Sequence, residues 1–152
     1  MARIARAQLV DPREVEVFHC MNRCVRQERL CGQDKRSGRN YDHRKGWLEE
    51  RFKLLAKTFG IDLIGYAILS NHFHVILRSR PDLVAEWSDT EVARRWWMLC
   101  PSRRTKTEDP EEPTDAELDT IRNAPERLRE IRLRLSNISW WMRMAAEPIA
   151  RR

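Results

Sequence analysis

The chain has 152 residues, of which 41% are hydrophobic and 34% charged, and its 29 basic and 23 acidic side chains give a net charge of +6 at pH 7. No apolar run approaches the roughly 18 residues of a membrane span, and no export signal is visible, so we expect one cytoplasmic domain over 1–152 and no membrane partner. Five glycines are too few for a glycine-rich nucleotide-binding protein.

Positive charge is concentrated in the first half of the chain. Residues 1–80 hold 16 basic and 9 acidic side chains, whereas residues 81–152 hold 13 and 14. This asymmetry predicts a face that meets a polyanion such as nucleic acid. A solvated arginine-rich surface would give the same counts, so charge alone leaves both interpretations open.

The first elements are predicted to be an arm, a strand and a loop. Residues 1–14 are typical of a basic arm, and residues 15–22 are rich in strand-forming side chains. Alternation along this strand places His19 on the face opposite to its neighbours in sequence. Residues 23–45 predict a basic loop, with a short strand over 27–31.

A helix and a hairpin are predicted next. Apolar residues recur at helical spacing over 43–59, and Gly60 follows as a C-cap. Two strand-like runs, 61–69 and 72–78, are separated by a Ser-Asn pair, which is typical of a tight β-hairpin.

The rest of the chain is predicted to be helical. Pro81 and capping boxes at Ser88 and Thr114 begin three helices, and residues 101–113 predict an exposed linker. Pro125 opens a long helix. Its apolar seam is Leu128, Ile131, Leu135, Ile138 and Met142. An antiparallel sheet covered on one face by helices satisfies this order, so we expect an α+β fold with a C-terminal helical extension.

Two histidines are the strongest candidates for chemistry. His72 and His74 lie two apart on one strand, so both point to the same face, about 7 Å apart along it. Two imidazoles at this spacing can converge on one divalent ion, and His19 on another strand is expected to share their face. A pair of ordinary surface histidines is the alternative. The four cysteines lack the spacing of a common zinc framework.

These residues resemble a known family. The segment 71–77, Asn-His-Phe-His-Val-Ile-Leu, resembles the His-hydrophobic-His (HUH) motif of the tyrosine transposases that act on single-stranded DNA. Segments 18–23 and 65–71 resemble the opening strand of the REP-associated branch and the strand that leads into the motif. Segment 139–143 resembles the start of its catalytic helix. The similarity extends over roughly residues 13–150.

The resemblance implies a fold, a cofactor and a reaction. We expect a ferredoxin-like antiparallel sheet and a Mg²⁺ or Mn²⁺ ion held by His72, His74 and one later polar ligand. A helix-borne tyrosine would attack a DNA phosphate and become linked to the 5′ end, so that single-stranded or hairpin DNA is the partner. The basic loop and the resembling strand predict DNA contacts from His19, Asn22, Arg23, Arg26, Arg29, Arg36 and Arg39.

The sequence departs from this family at the nucleophile. The expected tyrosine position falls near Ile149, and the third ligand would fall past the last residue. Tyr41, in the basic loop, is the candidate substitute nucleophile, with stacking or packing as the alternative. Tyr66 is expected to be buried. Glu147 is a candidate oxygen ligand, with a solvated glutamate as the alternative.

Three functions therefore stay open. The first is a transposase-like protein that nicks and joins DNA, and the second is a catalytically inactive DNA-binding module. The third is a metal-binding interaction protein without a nucleic-acid role. A homodimer is compatible with each of them. The tryptophan pairs 96–97 and 140–141 are expected to contribute mainly to the core, with stacking on unpaired bases as the alternative for an exposed ring.

Overall fold

A computed structural model describes residues 10–23 and 29–150, with only the backbone described at 149 and 150. Within these residues the chain forms three strands and six helices. The first four elements are β1 (Val17–Arg23), α1 (Asp42–Thr58), β2 (Ile61–Ile68) and β3 (His72–Ser79). Five helices follow: α2 (Pro81–Glu86), α3 (Asp89–Leu99), α4 (Asp115–Arg122), α5 (Pro125–Arg134) and α6 (Ile138–Ala150).

The strands form one antiparallel sheet in the order β1-β3-β2, so β3 pairs on both sides. The β2–β3 connection is the predicted tight hairpin, closed by a hydrogen bond from the Leu69 amide to the His72 carbonyl at 2.8 Å. One strand, one helix and this hairpin match the first part of a ferredoxin-like order. The predicted α+β fold is confirmed.

The two faces of β3 have opposite characters. Phe73, Val75 and Leu77 are fully buried and share one core with side chains from the helices. In this core, the ring of Phe52 from α1 lies 5.3 Å from Phe73 and 5.5 Å from Trp141 of α6, centroid to centroid. Burial of such rings contributes strongly to stability, because truncating one to alanine typically costs about 3–5 kcal/mol.

The prediction of one long helix from Pro125 is wrong in one respect, because this segment forms two helices. Its apolar seam is buried as expected, but the helix ends at Arg134 and a new one begins at Ile138. Asn137 explains the break: its side-chain oxygen accepts from the Trp140 amide at 3.1 Å and its carbonyl from the Trp141 amide. Asparagine favours this N-cap role over a helix interior.

The loops are more ordered than the sequence indicates. Residues 29–31 form no strand, and 27–28 lie outside the described residues, as does most of the predicted arm over 1–14. Residues 101–113 are mostly exposed, yet they contain a bridge between Arg104 and Pro110. Polar and charged side chains, rather than apolar ones, hold this segment against the helices.

Arg103 is the centre of that polar network. Its guanidinium pairs with Glu111 and, through Nε at 2.8 Å, with Glu117. This hydrogen-bonded pairing, with the bond from the Thr114 amide, lowers the pKa of Glu117 to about 2. Thr114 and Glu117 form the predicted capping box of α4. The acidic segment is thereby tied to the start of a helix.

Gly60 is the one glycine that close packing requires. It is buried between α1 and β2, donates to the Leu135 carbonyl at 2.7 Å, and accepts from the Arg80 amide at 2.8 Å. A Cβ placed on Gly60 would overlap the Cγ2 atom of Val84, which is itself buried. The chain can therefore pass here only without a side chain.

We expect Gly60→Ala to lower the free energy of unfolding by about 1–3 kcal/mol, because the added methyl overpacks the core. The matched control is Gly46→Ala in the second turn of α1, where a Cβ meets nothing within 4 Å. That change should raise stability by about 0.5–1 kcal/mol, since alanine favours the helix. Urea denaturation measures both, and equal midpoints for the two variants would contradict this packing.

Candidate functional site

Three histidines meet on the face of the sheet that points away from the helices. His72 and His74 of β3 lie on this open face, and His19 of β1 reaches them diagonally across the strand pair. The rings of His19 and His74 are stacked, with centroids 5.0 Å apart, and those of His72 and His74 meet edge to face at 5.0 Å. The predicted shared face of these side chains is thereby borne out.

Hydrogen bonds orient two of these rings. The Nδ1 atom of His72 lies 2.7 Å from the Asn71 amide oxygen, which can only accept, so Nδ1 carries the proton and Nε2 the lone pair. The Nδ1 atom of His74 is hydrogen-bonded to Nε2 of His19 at 2.8 Å, and either ring can be the donor. When His74 donates, its own Nε2 is left with a free lone pair.

The surroundings of His74 favour its neutral form. Loss of hydration lowers the pKa of His74 below its ordinary value of 6.5, and the nearby His19 and His72 lower it further by charge repulsion. A lowered pKa means that His74 is neutral at pH 7 and becomes charged only in more acidic solution. Neutral imidazole is the form that binds a metal ion.

The donor set fits a divalent ion only in part. Two imidazoles with their Nδ1 atoms engaged match the usual arrangement of histidine ligands. Across residues 10–23 and 29–150, no group of three or more His, Cys, Asp or Glu side chains is arranged to hold a metal ion. Imidazole nitrogens suit transition-metal ions better than Mg²⁺, which favours oxygen. Water or phosphate oxygens would have to fill the remaining positions.

Glu147 is not brought to the histidines. Its carboxylate accepts from Arg143 at 2.9 Å, one turn earlier on α6. The same end of α6 is held against α1, where Arg51 donates to the Met144 carbonyl at 2.8 Å. Because these helices cover the buried face of the sheet, the structure does not support Glu147 as a ligand beside the histidines. Its side chain is half-buried and paired with Arg143.

The two tyrosines lie in different places. Tyr66 is 48% exposed, so the prediction that it is buried is wrong. It lies on the helix side, against Phe52, and donates to Glu49 at 3.3 Å. Tyr41 precedes α1 and is half-buried, with the guanidinium of Arg44 packed 4.6 Å from its ring centre. The side chain of Ile149 lies outside the described residues.

The loop that carries Tyr41 is anchored beside the histidine strand. The Leu30 amide donates to the Ser70 carbonyl at 2.6 Å, and the Cys31 thiol to the Leu69 carbonyl at 3.4 Å. The Tyr41 amide in turn donates to the Gly32 carbonyl at 3.0 Å. The loop is thus fixed to the hairpin turn that directly precedes His72.

The predicted DNA contacts divide between the two faces. Arg23 is exposed and lies directly opposite His72 in the β1–β3 register, so it is on the open face. Asn22 pairs with Phe73 on the helix side and is half-buried, so it does not join the histidines. Arg36 and Arg39 are exposed in the anchored loop. Arg29 lies 3.4 Å from the Asp34 carboxylate, and Arg26 lies outside the described residues.

The tryptophans of the two pairs are mostly core residues, as the sequence predicts. Trp96, Trp97 and Trp141 are buried, and Trp140 is half-buried with the guanidinium of Arg134 packed 4.2 Å from its ring centre. Packing is therefore the better interpretation for both pairs.

Asn71 is a residue of the site that the sequence analysis did not identify. Its side chain orients the His72 ring. Its position directly before the motif was the available signal.

Comparisons with known proteins add no family. A scan of family models, a search of curated proteins and a search of solved structures each found no match to this chain. Among the described residues, no helix combines the length and the apolar character needed to cross a membrane.

Proposed function

We propose that this chain binds single-stranded or hairpin DNA at the open face of its sheet, with Mn²⁺ or Mg²⁺ held at His72 and His74. The observation that carries the proposal is the convergence of the two imidazoles on one exposed face, with Nδ1 of each already engaged. The resemblance to the HUH tyrosine transposases adds the reaction of that family, DNA nicking and joining through a tyrosine, as the first candidate activity.

The residues of the open face have separate tasks in this proposal. A bound divalent ion would polarise the scissile phosphate. Asn71 and His19 hold the rings of His72 and His74, so that the lone pairs need little reorganisation on binding. Arg23, beside His72, supplies positive charge to the DNA backbone.

A catalytically inactive DNA-binding module is the second candidate, and the tyrosines favour it. The chain has two tyrosines. Tyr66 lies on the helix side of the sheet, and the ring of Tyr41 packs against Arg44. In this candidate the chain binds DNA and metal but forms no covalent intermediate.

Metal binding is tested with His72→Ala/His74→Ala. We expect the double variant to bind Mn²⁺ at least about tenfold more weakly than the wild type, because both nitrogen ligands are lost. Calorimetry measures the affinity. The matched control is His43→Ala at the start of α1, where the ring packs edge-on against Trp47. Equal Mn²⁺ binding by wild type and double variant would refute the site.

DNA binding is tested through its salt dependence. Replacing Arg23, Arg36 and Arg39 by alanine should weaken binding of a labelled hairpin oligonucleotide. The slope of log affinity against log salt should become less steep by about 2 to 3, at roughly 0.7–0.9 for each lost phosphate contact. Arg127→Ala/Arg129→Ala, two exposed arginines of α5, is the control. An unchanged slope in the triple variant would exclude the basic loop as the docking surface.

The two candidate functions differ in a covalent product. We expect no DNA adduct after incubation with Mn²⁺ and labelled single-stranded hairpin DNA, followed by denaturing electrophoresis, because Tyr66 lies on the helix side and Tyr41 packs against Arg44. A band that is lost in Tyr41→Phe would make Tyr41 the nucleophile. A band that persists in this variant would refute both the inactive candidate and the role of Tyr41.

A further inference from the structure

The outer edge of β1 is a regular strand edge to which a further strand can be added. In the described part of the chain no strand lies beyond it, and β1 pairs with β3 without any shift of register. The other edge strand, β2, instead carries a bulge between Leu63 and Gly65. A bulge turns an edge away from further pairing, whereas a regular edge presents its backbone groups to a new strand. The sheet can therefore grow at β1.

Alternate residues of β1 direct their backbone groups out of this edge. The Ser79 amide of β3 donates to the Glu16 carbonyl at 2.9 Å, so the backbone of Glu16 faces β3. Because backbone groups alternate between the two sides of an antiparallel strand, the odd-numbered residues over 17–23 face outward. Their side chains lie on the open face of the sheet, where Val17 is 59% and Met21 48% exposed. An added strand would satisfy these backbone groups and cover apolar surface.

The chain has a segment of strand length next to this edge. Nine residues precede Val10, and the Glu14 amide donates to the Asp11 carbonyl at 3.2 Å, which is the hydrogen bond of a β-turn. An Asp-Pro pair at the first two positions favours a type I turn, around which four-residue hairpin loops are most often built. With 11–14 as such a loop, residues 10, 8, 6, 4 and 2 lie opposite residues 15, 17, 19, 21 and 23.

The side chains of residues 1–9 suit the two faces that this register gives them. On the helix side they are apolar and mostly small: Leu9, Ala7 and Ala5. Their neighbours on β1 are Phe18 and Cys20, which are half-buried against the core. A slip by one residue would turn Arg6 toward the helices, where its guanidinium would lose hydration. The pattern therefore favours one register over its neighbours.

We infer that residues 1–9 form a fourth strand on the outer edge of β1 and place Arg6 opposite His19 on the open face. Cα atoms in a hydrogen-bonded pair of this kind are about 5.5 Å apart. His19 is bonded to His74, so Arg6 lies beside the candidate metal ligands. The task of Arg6, which is to contact a DNA phosphate there, rests on the proposed function, whereas the strand itself does not. A second copy of β1 could pair at the same edge, but a four-residue loop gives residues 1–9 a far higher effective concentration.

A disulfide tests the strand and its register. Positions 5 and 20 form a non-hydrogen-bonded pair, whose Cα atoms are about 4.5 Å apart, within the range of a disulfide. We expect Ala5→Cys to cross-link to Cys20 under mild oxidation. Ile4→Cys, on the opposite face, is the matched control and should give no such cross-link. Non-reducing mass spectrometry detects it, since Cys20 is the one cysteine of the tryptic peptide 14–23. No cross-link from Ala5→Cys would overturn the inference.

Amide hydrogen exchange of the wild-type chain, followed by NMR, keeps the test independent of any variant. The even-numbered amides over 18–22 are expected to be protected by β3, and the odd-numbered amides over 17–21 equally by the fourth strand. Fast exchange confined to the odd-numbered amides would leave the edge open and contradict the inference. Protection of these amides that falls on dilution would assign the edge to a second copy, which also contradicts it.

The task of Arg6 is tested separately from the strand. Arg6→Ala should weaken binding of a labelled thymidine oligonucleotide and make its salt slope less steep by about 0.7, because one phosphate contact is lost. Arg3→Ala, on the helix side in this register, is the matched control and should keep the wild-type slope. Fluorescence anisotropy across a salt series measures both. Equal slopes for Arg6→Ala and the wild type would overturn the task of Arg6. If the wild type forms the strand but binds no oligonucleotide, it is the proposed function that fails.

Discussion

The alternation of side chains along β3 is the constraint on which the rest of the molecule depends. Phe73, Val75 and Leu77 fill the core between the sheet and the helices, which fixes the strand in one register. A slip by one residue would bring His72 and His74 into that core. The cost of burying unpaired imidazoles therefore reinforces the apolar packing that exposes them.

The same constraint joins stability to the candidate site. The ring of Phe52 contacts Phe73 directly behind the histidine strand, and Trp141 of α6 packs on its other side. The helix layer thus acts as a rigid support, and the open face carries the polar chemistry. A site built on a central strand is held more precisely than one on a loop.

Local sequence patterns were reliable where one short-range interaction dominates. The hairpin before His72, the helix over Asp42–Thr58 and the capping box at Thr114 follow from turn, periodicity and capping preferences. The prediction of one long helix from Pro125 was wrong because Asn137 caps a new helix without interrupting the apolar seam. The prediction that Tyr66 is buried was wrong because β2 is an edge strand. The Tyr66 ring contacts Phe52 on one side and remains exposed elsewhere.

The order of the predicted elements is enough to predict the α+β fold, and composition is enough to locate the basic first half. Spacing along one strand is enough to place His72 and His74 on one face. The packed fold was needed to show that His19 reaches His74, that Glu147 stays with Arg143 and that Gly65 lies beside Ile76. These relations join residues of different elements or depend on helix packing. Strand register and core packing set them, and neither can be read from local periodicity.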